Sequence, residues 1–418
     1  MPTISIPYGS EQITLAIPDQ NFQETISPNP VKLPTDETKE IETAIHHPIG
    51  CPELKNIVNK DSQVAIICDD ITRPTPAYKV LPALLDGLNK AGVPDSNIFI
   101  VMALGSHRYM TEAEMDQKVG LAIRKRILVY NSEFRDKKGL IDLGYAPGGV
   151  RIWADKRVME ATIRIGVGSI VPHPAVGWSG GGKIIYPGVT GEDTVAAFHR
   201  LHGRVPWNMF GTDKSPVRES MEQWVETVGL HFIVNLVCLP NGSIYKAVAG
   251  HYLQAHRVGV EYAKQLYAVR AKSRVEIAIV SSHPADLDLW QAGKAIISGE
   301  FLVKDGGILI LVTPCPEGAG PHPLFTQYSG IDNVAEYLEQ EVSSEEMNVI
   351  AAAAGMVRVR KRIRVGIVSD GLDKKAVAEC QFTKFDSVVE ALSESLSQYG
   401  PSAKVAVVGF GADIFPYV

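Results

Sequence analysis

Residues 63–104 read QVAIICDDITRPTPAYKVLPALLDGLNKAGVPDSNIFIVMAL and contain the pattern that decides the fold. A short apolar run at 64–68 is typical of a buried parallel strand, and residues 77–91 have the apolar periodicity of a helix. A second apolar run follows at 98–104. A strand, a helix and a strand within about 45 residues predict a βαβ unit, and hence a doubly wound parallel sheet.

The same pattern recurs in the last third of the chain. Four apolar, strand-like runs alternate with helical patterns there, at residues 275–282, 307–314, 364–370 and 404–410. We therefore predict an α/β fold of two domains with mostly parallel sheets. The boundary falls in the polar segment near residue 272, which gives an N-terminal domain at residues 1–270 and a C-terminal α/β domain at residues 271–418.

The composition excludes several classes of protein. The chain has 418 residues, of which 45% are hydrophobic and 21% charged, as in folded globular proteins. Its net charge of −6 gives no electrostatic reason to bind nucleic acid or an anionic membrane. No uncharged apolar stretch approaches the roughly 18 residues of a membrane span, and no signal peptide is evident. The five cysteines form no Cys-x-x-Cys pair, so we expect reduced thiols in a cytoplasmic protein.

Polar clusters follow the predicted strands, where ligands bind in parallel α/β sheets. Asp70, Thr72 and Arg73 come after the first strand, on a loop that enters a helix and suits a phosphate or carboxylate. A helix cap with a local Asp–Arg pair explains the same residues without a ligand. His107 follows the next strand and is a candidate general acid or base, although a solvated loop histidine fits equally well.

The most distinctive segment is residues 171–188, VPHPAVGWSGGGKIIYPG. Three glycines before Lys183 leave the backbone bare for close approach to an anion or a flat ring. The loop is not a Walker A motif, since no hydroxyl residue follows the lysine. Lys183 is therefore a candidate covalent anchor, and His173 is aimed rigidly by the prolines on either side of it.

Two further pairs of side chains share a helical face. His199 and His202 lie three residues apart and could hold a metal, but without an HExxH pattern this signal is weak alone. Gln291 and Lys294 follow a strand of the second domain and have the same spacing. If the amide of Gln291 and the ammonium of Lys294 point into a cleft, they would suit a carboxylate. The alternative is that both lie on a solvated helix face.

Together these segments resemble the nickel-dependent lactate racemase family, in order and over nearly the whole chain. The resemblance rests on DDITRPTP at 69–76, GSHR at 105–108, the HP…GGGK…PG loop at 173–188, FHR at 198–200 and WQAGK at 290–294. It implies two α/β domains with the active site in the cleft between them. The implied activity is that of an isomerase, a 2-hydroxyacid racemase or epimerase.

The resemblance also implies a cofactor. This is a nickel-pincer nucleotide, a pyridinium-3-thioamide-5-thiocarboxylic acid mononucleotide with nickel, made by separate cofactor-synthesis proteins. By position, Lys183 is similar to the lysine that binds this cofactor covalently, and His199 to the nickel ligand. The remaining residues implied to bind the cofactor are Asp70, Thr72, Gly181 and Gly182.

Two histidines of this chain, His107 and His173, resemble the paired acid and base of the family. A hydride would leave C2 of the hydroxy acid and return on the other face, while the histidines exchange the hydroxyl proton. The residues implied to contact the substrate are Arg73, Trp290, Gln291 and Lys294. Lactate racemases of the family usually have tyrosine where Trp290 stands, so the 2-hydroxy acid need not be lactate itself.

Two other functions remain open from the residues alone. A nicotinamide-dependent 2-hydroxyacid dehydrogenase would use a doubly wound sheet, although no Gly-x-Gly-x-x-Gly follows either of the clearest strands. A non-catalytic protein that binds hydroxy acids or nucleotides would retain Arg73 and Lys294 but would have little use for three positioned histidines.

Overall fold

The computed structural model describes residues 1–418 and contains two six-stranded sheets and four short two-stranded ones. The strands are β1 Thr3–Tyr8, β2 Glu11–Ala16, β3 Phe22–Ile26, β4 Val64–Asp69, β5 Ile98–Ala103, β6 Leu128–Asn131, β7 Leu140–Tyr145, β8 Arg151–Asp155, β9 Ile163–Ser169, β10 Pro172–His173, β11 Gly177–Trp178, β12 Phe232–Cys238, β13 Ile244–Gly250, β14 Ala268–Arg270, β15 Val275–Ser281, β16 Val303–Val312, β17 Arg364–Val368, β18 Thr383–Phe385, β19 Val405–Val408 and β20 Phe415–Tyr417.

Thirteen helices connect and cover these strands. They are α1 Glu37–His46, α2 Ala77–Lys90, α3 Glu112–Val119, α4 Leu121–Arg124, α5 Lys156–Glu160, α6 Glu192–Gly203, α7 Pro216–Val228, α8 Gln254–Tyr267, α9 Leu289–Gly299, α10 Phe325–Ser329, α11 Ser344–Arg360, α12 Lys374–Glu379 and α13 Val388–Tyr399. None of them combines the length and the apolar composition needed to span a lipid bilayer.

The first large sheet has the strand order β13-β12-β9-β4-β5-β6. All its pairs are parallel except β12 with β13. The chain runs from β4 outward through β5 and β6 and later fills the other side with β9 and β12. The connections therefore diverge between β4 and β9, and such a reversal opens a crevice at the carboxyl ends of the strands. The predicted βαβ unit is confirmed as β4, α2 and β5.

The second large sheet is entirely parallel, with the order β18-β17-β16-β15-β19-β3. Its central strand β15, VEIAIVS, is almost wholly buried, as expected for a strand covered on both faces. The chain runs from β15 through β16 to β18 and then returns to β19 on the other side. A second crevice therefore opens between β15 and β19, and the predicted mixed α/β fold with mostly parallel sheets is confirmed.

The N-terminal residues pack against the second sheet. Strand β3 pairs in parallel with β19 at the edge of that sheet. Strands β1 and β2 form a hairpin, and Ile6 of β1 and Ile17, just after β2, are buried in one core cluster with Ile277 and Val407. The division into residues 1–270 and 271–418 stays a prediction, and it leaves β3 apart from the sheet to which this strand belongs. Below, "first unit" means the part around the first sheet and "second unit" the part around the second.

Candidate active site

A cleft of about 170 Å³ lies between the two units. It contains residues that follow β4, β5 and β9 of the first sheet and residues of α9, which follows β15 of the second. The predicted site residues that line it are Asp70, Arg73, His107, His173, Lys183, His199, Trp290, Gln291 and Lys294. The structure thus brings together side chains that lie more than 200 positions apart in the sequence.

His107 is held at the end of β5 by a carboxylate from the end of β4. Asp70 Oδ2 lies 2.5 Å from His107 Nδ1, and the Thr72 hydroxyl donates to the other oxygen of Asp70 at 2.5 Å. Burial alone would raise the pKa of Asp70, but His107 and Arg73 beside it hold that pKa well below its usual range. The carboxylate is therefore ionised and keeps a proton on His107 Nδ1, so that Nε2 faces the cleft. Thr72 itself lies in a smaller cavity that adjoins the cleft.

Gln291 connects this histidine to two cations. Its Oε1 accepts from Arg73 Nη1 at 3.1 Å and from Lys294 Nζ at 2.7 Å. Because two donors occupy the oxygen, the amide nitrogen must face His107 Nε2, at 3.1 Å, and donates to its lone pair. Burial and the charge of Arg73 lower the pKa of Lys294 well below its usual range. Two basic groups directed at one neutral oxygen leave capacity for an anion, and a substrate carboxylate would accept from both and favour the protonated form of Lys294.

The loop after β9 carries His173 and Lys183. His173 Nδ1 accepts from the backbone N–H of Ala175 at 3.1 Å, which leaves Nε2 facing the cleft. Burial and the charge of Lys183 lower the pKa of His173 well below its usual value. The amine of Lys183 has no hydrogen-bond partner, and burial together with the nearby Arg73 lowers its pKa to about 7. A large fraction of this amine is therefore neutral and nucleophilic at neutral pH.

His199 projects from α6 into the same cleft. Its Nδ1 lies 2.8 Å from Asn348 Oδ1 on α11, a residue of the second unit. Burial lowers the pKa of His199 to about 3, so the ring is neutral, with Nδ1–H donating to Asn348 and the Nε2 lone pair free. His202 also lines the cleft one turn later, and burial with the nearby Arg358 lowers its pKa to about 4.

Besides Thr72, two predicted residues do not line the cleft. Gly181 and Gly182 are buried in the loop itself, directly before Lys183. Gly181 has φ +61°, and a Cβ there would lie 2.9 Å from His256 Cγ, so the turn requires glycine. The N–H of Gly181 donates to Asn235 Oδ1 at 2.8 Å. Both glycines shape the turn in this structure, and their contact with a cofactor stays a prediction.

Arg218 and His256, which sequence reasoning missed, hold the backbone of this loop. Arg218 Nε donates to the carbonyl of Val176 at 3.1 Å, and the same guanidinium contacts the carbonyl of Trp178. His256 Nε2 donates to the carbonyl of Ser179 at 2.8 Å. Three carbonyls between His173 and Lys183 are thus fixed by side chains from α7 and α8.

A buried charge pair supports these two side chains. Glu222 lies 3.0 Å from Arg218 and 2.6 Å from Arg257, and Arg257 Nη1 also donates to His256 Nδ1 at 2.9 Å. Only the spacing of Arg218 and Glu222, four apart on one helix, is a signal in the sequence. It is also typical of solvated helix faces, so it does not reveal a buried network.

We expect His256→Ala to slow the acylation of Lys183 by an amine-reactive ester at pH 7 by roughly 10-fold, because small displacements of a reacting group have large effects on rate. Mass spectrometry of the Lys183 peptide measures this rate in protein made without cofactor. His256→Gln retains a donor for the Ser179 carbonyl and should restore most of the rate. His231→Asn, at a half-buried histidine outside the cleft, is the control. Equal rates in His256→Ala and the unaltered protein would refute this role.

The crevices at the carboxyl ends of the two sheets face one cleft, which holds histidines, a neutral lysine and a pair of basic side chains. This combination defines a two-unit α/β enzyme. A family model described as the lactate racemase N-terminal domain matches residues 8–208, and the lactate racemase C-terminal domain model matches residues 269–415. The chain therefore belongs to the lactate racemase family, and its members are isomerases.

Individual relatives agree over the full length. The chain is 28% identical to a lactate racemase from Thermoanaerobacterium thermosaccharolyticum and 27% identical to one from Lactiplantibacillus plantarum, with 99% of each chain covered in both cases. The lactate racemase apoprotein structure from T. thermosaccharolyticum superimposes with a TM-score of 0.88 at 26% identity, over 100% of both chains. A Thermotoga maritima protein shares the fold, with a TM-score of 0.70 at 18% identity over 91% of this chain and 97% of that one.

Proposed function

We propose that the protein is a racemase or epimerase of a 2-hydroxy acid, lactate or a related acid, and that it depends on a nickel-pincer nucleotide linked covalently to Lys183. The observation that carries this proposal is the convergence of Lys183 and His199 in one cleft beside His107 and His173. Lys183 Nζ and His199 Nε2 have no partner in the protein, so both are available to a bound group.

The donor set fits such a cofactor. No three His, Cys, Asp or Glu side chains come together as a metal site, so the chain would supply one nickel ligand and the organic group the others. His199 is suited to this role because it is neutral and Asn348 orients its ring from behind. A neutral imidazole is a ligand that suits nickel, so His199 would hold the metal of the bound group. The neutral amine of Lys183 suits acylation, which would give the covalent link.

The chemistry needs two proton carriers. When bound, the cofactor would supply a reversible acceptor for the C2 hydride. The two enantiomers present their hydroxyl groups on opposite sides, so each side needs its own base. In the arrangement described above, the lone pair of His107 Nε2 accepts from the neutral amide of Gln291, and it can accept the hydroxyl proton of one enantiomer when the substrate replaces that amide. A protonated His173 can give its proton to the carbonyl oxygen of the 2-keto acid after that molecule has rotated.

One extra proton shared between the two histidines is sufficient for both directions. In one direction His107 accepts the proton and His173 donates it, and in the other direction the roles reverse. Burial is the main cause that lowers the pKa of His173, and the positive charge of Lys183 adds to it. Acylation of Lys183 would remove that charge and raise the pKa of His173 toward its usual value, which would favour proton exchange.

The carboxylate of the substrate is assigned to Arg73 and Lys294. Both cations donate to Gln291 Oε1 in the structure, and a carboxylate would give them a charged acceptor at the same place. Such a clamp would also retain the 2-keto acid while it rotates between the two histidines.

A panel of single-enantiomer 2-hydroxy acids tests the function. The protein is produced together with the cofactor-synthesis proteins, on which we propose it depends in the cytoplasm, and is followed by optical rotation and chiral chromatography. We expect the opposite enantiomer to accumulate to an equal mixture without any nicotinamide. Net turnover of NAD(H) with a 2-hydroxy acid would instead favour a dehydrogenase. Binding without turnover would favour a non-catalytic binding protein.

A further inference from the structure

The face of α9 that lines the cleft is apolar apart from Gln291 and Lys294. Its residues Trp290, Gly293, Lys294 and Ile297 have the spacing i, i+3, i+4 and i+7, which places them on one side of the helix. Lys294 is the only charged residue among them. A carboxylate held by Lys294, beside Gln291, therefore has Trp290 on one side along the helix and Ile297 on the other.

Helix α11 adds small and flexible side chains to this wall. Ala352, Gly355 and Met356 line the cleft opposite α9. A Cβ at Gly355 would have a single neighbour within 4 Å, Ile297 Cδ1 at 3.6 Å, so space is left beside it. Met356 Cε would lie 2.9 Å from a Cβ at Gly293, and a methionine side chain can move to fit irregular apolar groups. The two helices thus leave an apolar compartment bounded by Gly293, Ile297, Ala352, Gly355 and Met356.

Trp290 closes this wall at the other end of α9. Its ring centroid lies 5.0 Å from that of Phe325 and 4.3 Å from that of His322. His322 is buried, and its two ring nitrogens have no hydrogen-bond partner. The rings of Phe325 and His322 pack against Trp290 and fix the orientation of the indole.

We propose that the preferred substrate is a 2-hydroxy acid with a branched aliphatic or aromatic side chain, larger than the methyl group of lactate. This inference rests on the proposed function. Lys183 and His199, the proposed anchors of the cofactor, belong to the first unit, so the substrate lies between them and the wall of the second unit. With its carboxylate at Arg73 and Lys294, its side chain faces that wall. A second carboxylate or a chain of hydroxyls would lose hydration against the five residues that bound the compartment, whose side chains offer no hydrogen-bond donor.

The test compares kcat/KM of the matured enzyme for lactate, 2-hydroxy-4-methylpentanoate, 3-phenyllactate, malate and 2-hydroxyglutarate. Each buried methylene adds about a factor of four in binding, so the two larger apolar acids should exceed lactate by about 10- to 60-fold. Malate and 2-hydroxyglutarate should be poorer than lactate. A preference for lactate or for either dicarboxylate overturns the inference and leaves the racemase function intact. If none of the acids is racemised, the proposed function itself fails.

Gly355→Leu tests the place of the side chain. Leucine fills the compartment and also favours the helix, so folding is not compromised. We expect the ratio of kcat/KM for 2-hydroxy-4-methylpentanoate to that for lactate to fall by about 10-fold or more, as the lost space excludes several methylenes. Gly355→Ala, which fills little of the compartment, should change this ratio much less. An unchanged ratio in Gly355→Leu contradicts the assignment of the side chain to this compartment.

Discussion

Alanine in place of His107 or of His173 is expected to lower the rate of racemisation by about 10²- to 10⁴-fold, the usual contribution of a positioned acid or base. Either substitution removes the proton carrier on one side of the substrate. Asp70, which accepts from Thr72, orients the ring of His107, and the N–H of Ala175 orients that of His173, so alanine removes a side chain whose position is fixed. Chiral chromatography of matured variants, started from each pure enantiomer, measures the loss.

The control is His47→Ala, at an exposed histidine whose backbone alone takes part in the end of α1. Thermal unfolding of all three variants shows whether they are folded. Full activity in either His107→Ala or His173→Ala would refute the two-base mechanism. Loss of activity with retention of the cofactor on Lys183 would support it, because the defect then lies in proton transfer alone.

Lys183→Ala is expected to abolish activity, because no other amine lies at the end of the Gly180–Gly182 loop to carry the cofactor. Lys183→Arg is the matched variant, since it keeps a cation in the same place but has no neutral amine at pH 7. Both should lack the covalent adduct and contain much less nickel after maturation. Intact-protein mass spectrometry and metal analysis measure these two quantities. Nickel content and activity equal to those of the unaltered protein in Lys183→Ala would exclude the proposed link.

The apolar pattern of single segments predicts much of this fold. The apolar pattern alone was enough to predict the strand at 64–68 and the helix at 77–91, which appear as β4 and α2. Strand β3, FQETI, has one apolar residue at each end and pairs with a strand some 380 positions later. An edge strand buries few side chains, so its sequence does not distinguish it from a polar loop.

The site residues that lie together on one loop could be predicted from the sequence, whereas the contacts between the two units could not. Lys183 and His173 stand out in a loop of unusual composition. Asn348 lies inside a helix of ordinary composition, and only the folded structure places its Oδ1 2.8 Å from His199. His256 likewise contacts Ser179 across 77 positions. Such pairs depend on tertiary packing, which no local pattern encodes.

The fate of the hydrogen at C2 tests the proposed mechanism most directly. A single enantiomer deuterated at C2 is incubated with matured enzyme in ordinary water, and the opposite enantiomer is isolated and analysed by mass spectrometry. Since the hydrogen leaves and returns as a hydride, we predict that the product keeps nearly all its deuterium. Replacement of the deuterium by solvent hydrogen would show that C2 is deprotonated instead, and that result would contradict the mechanism.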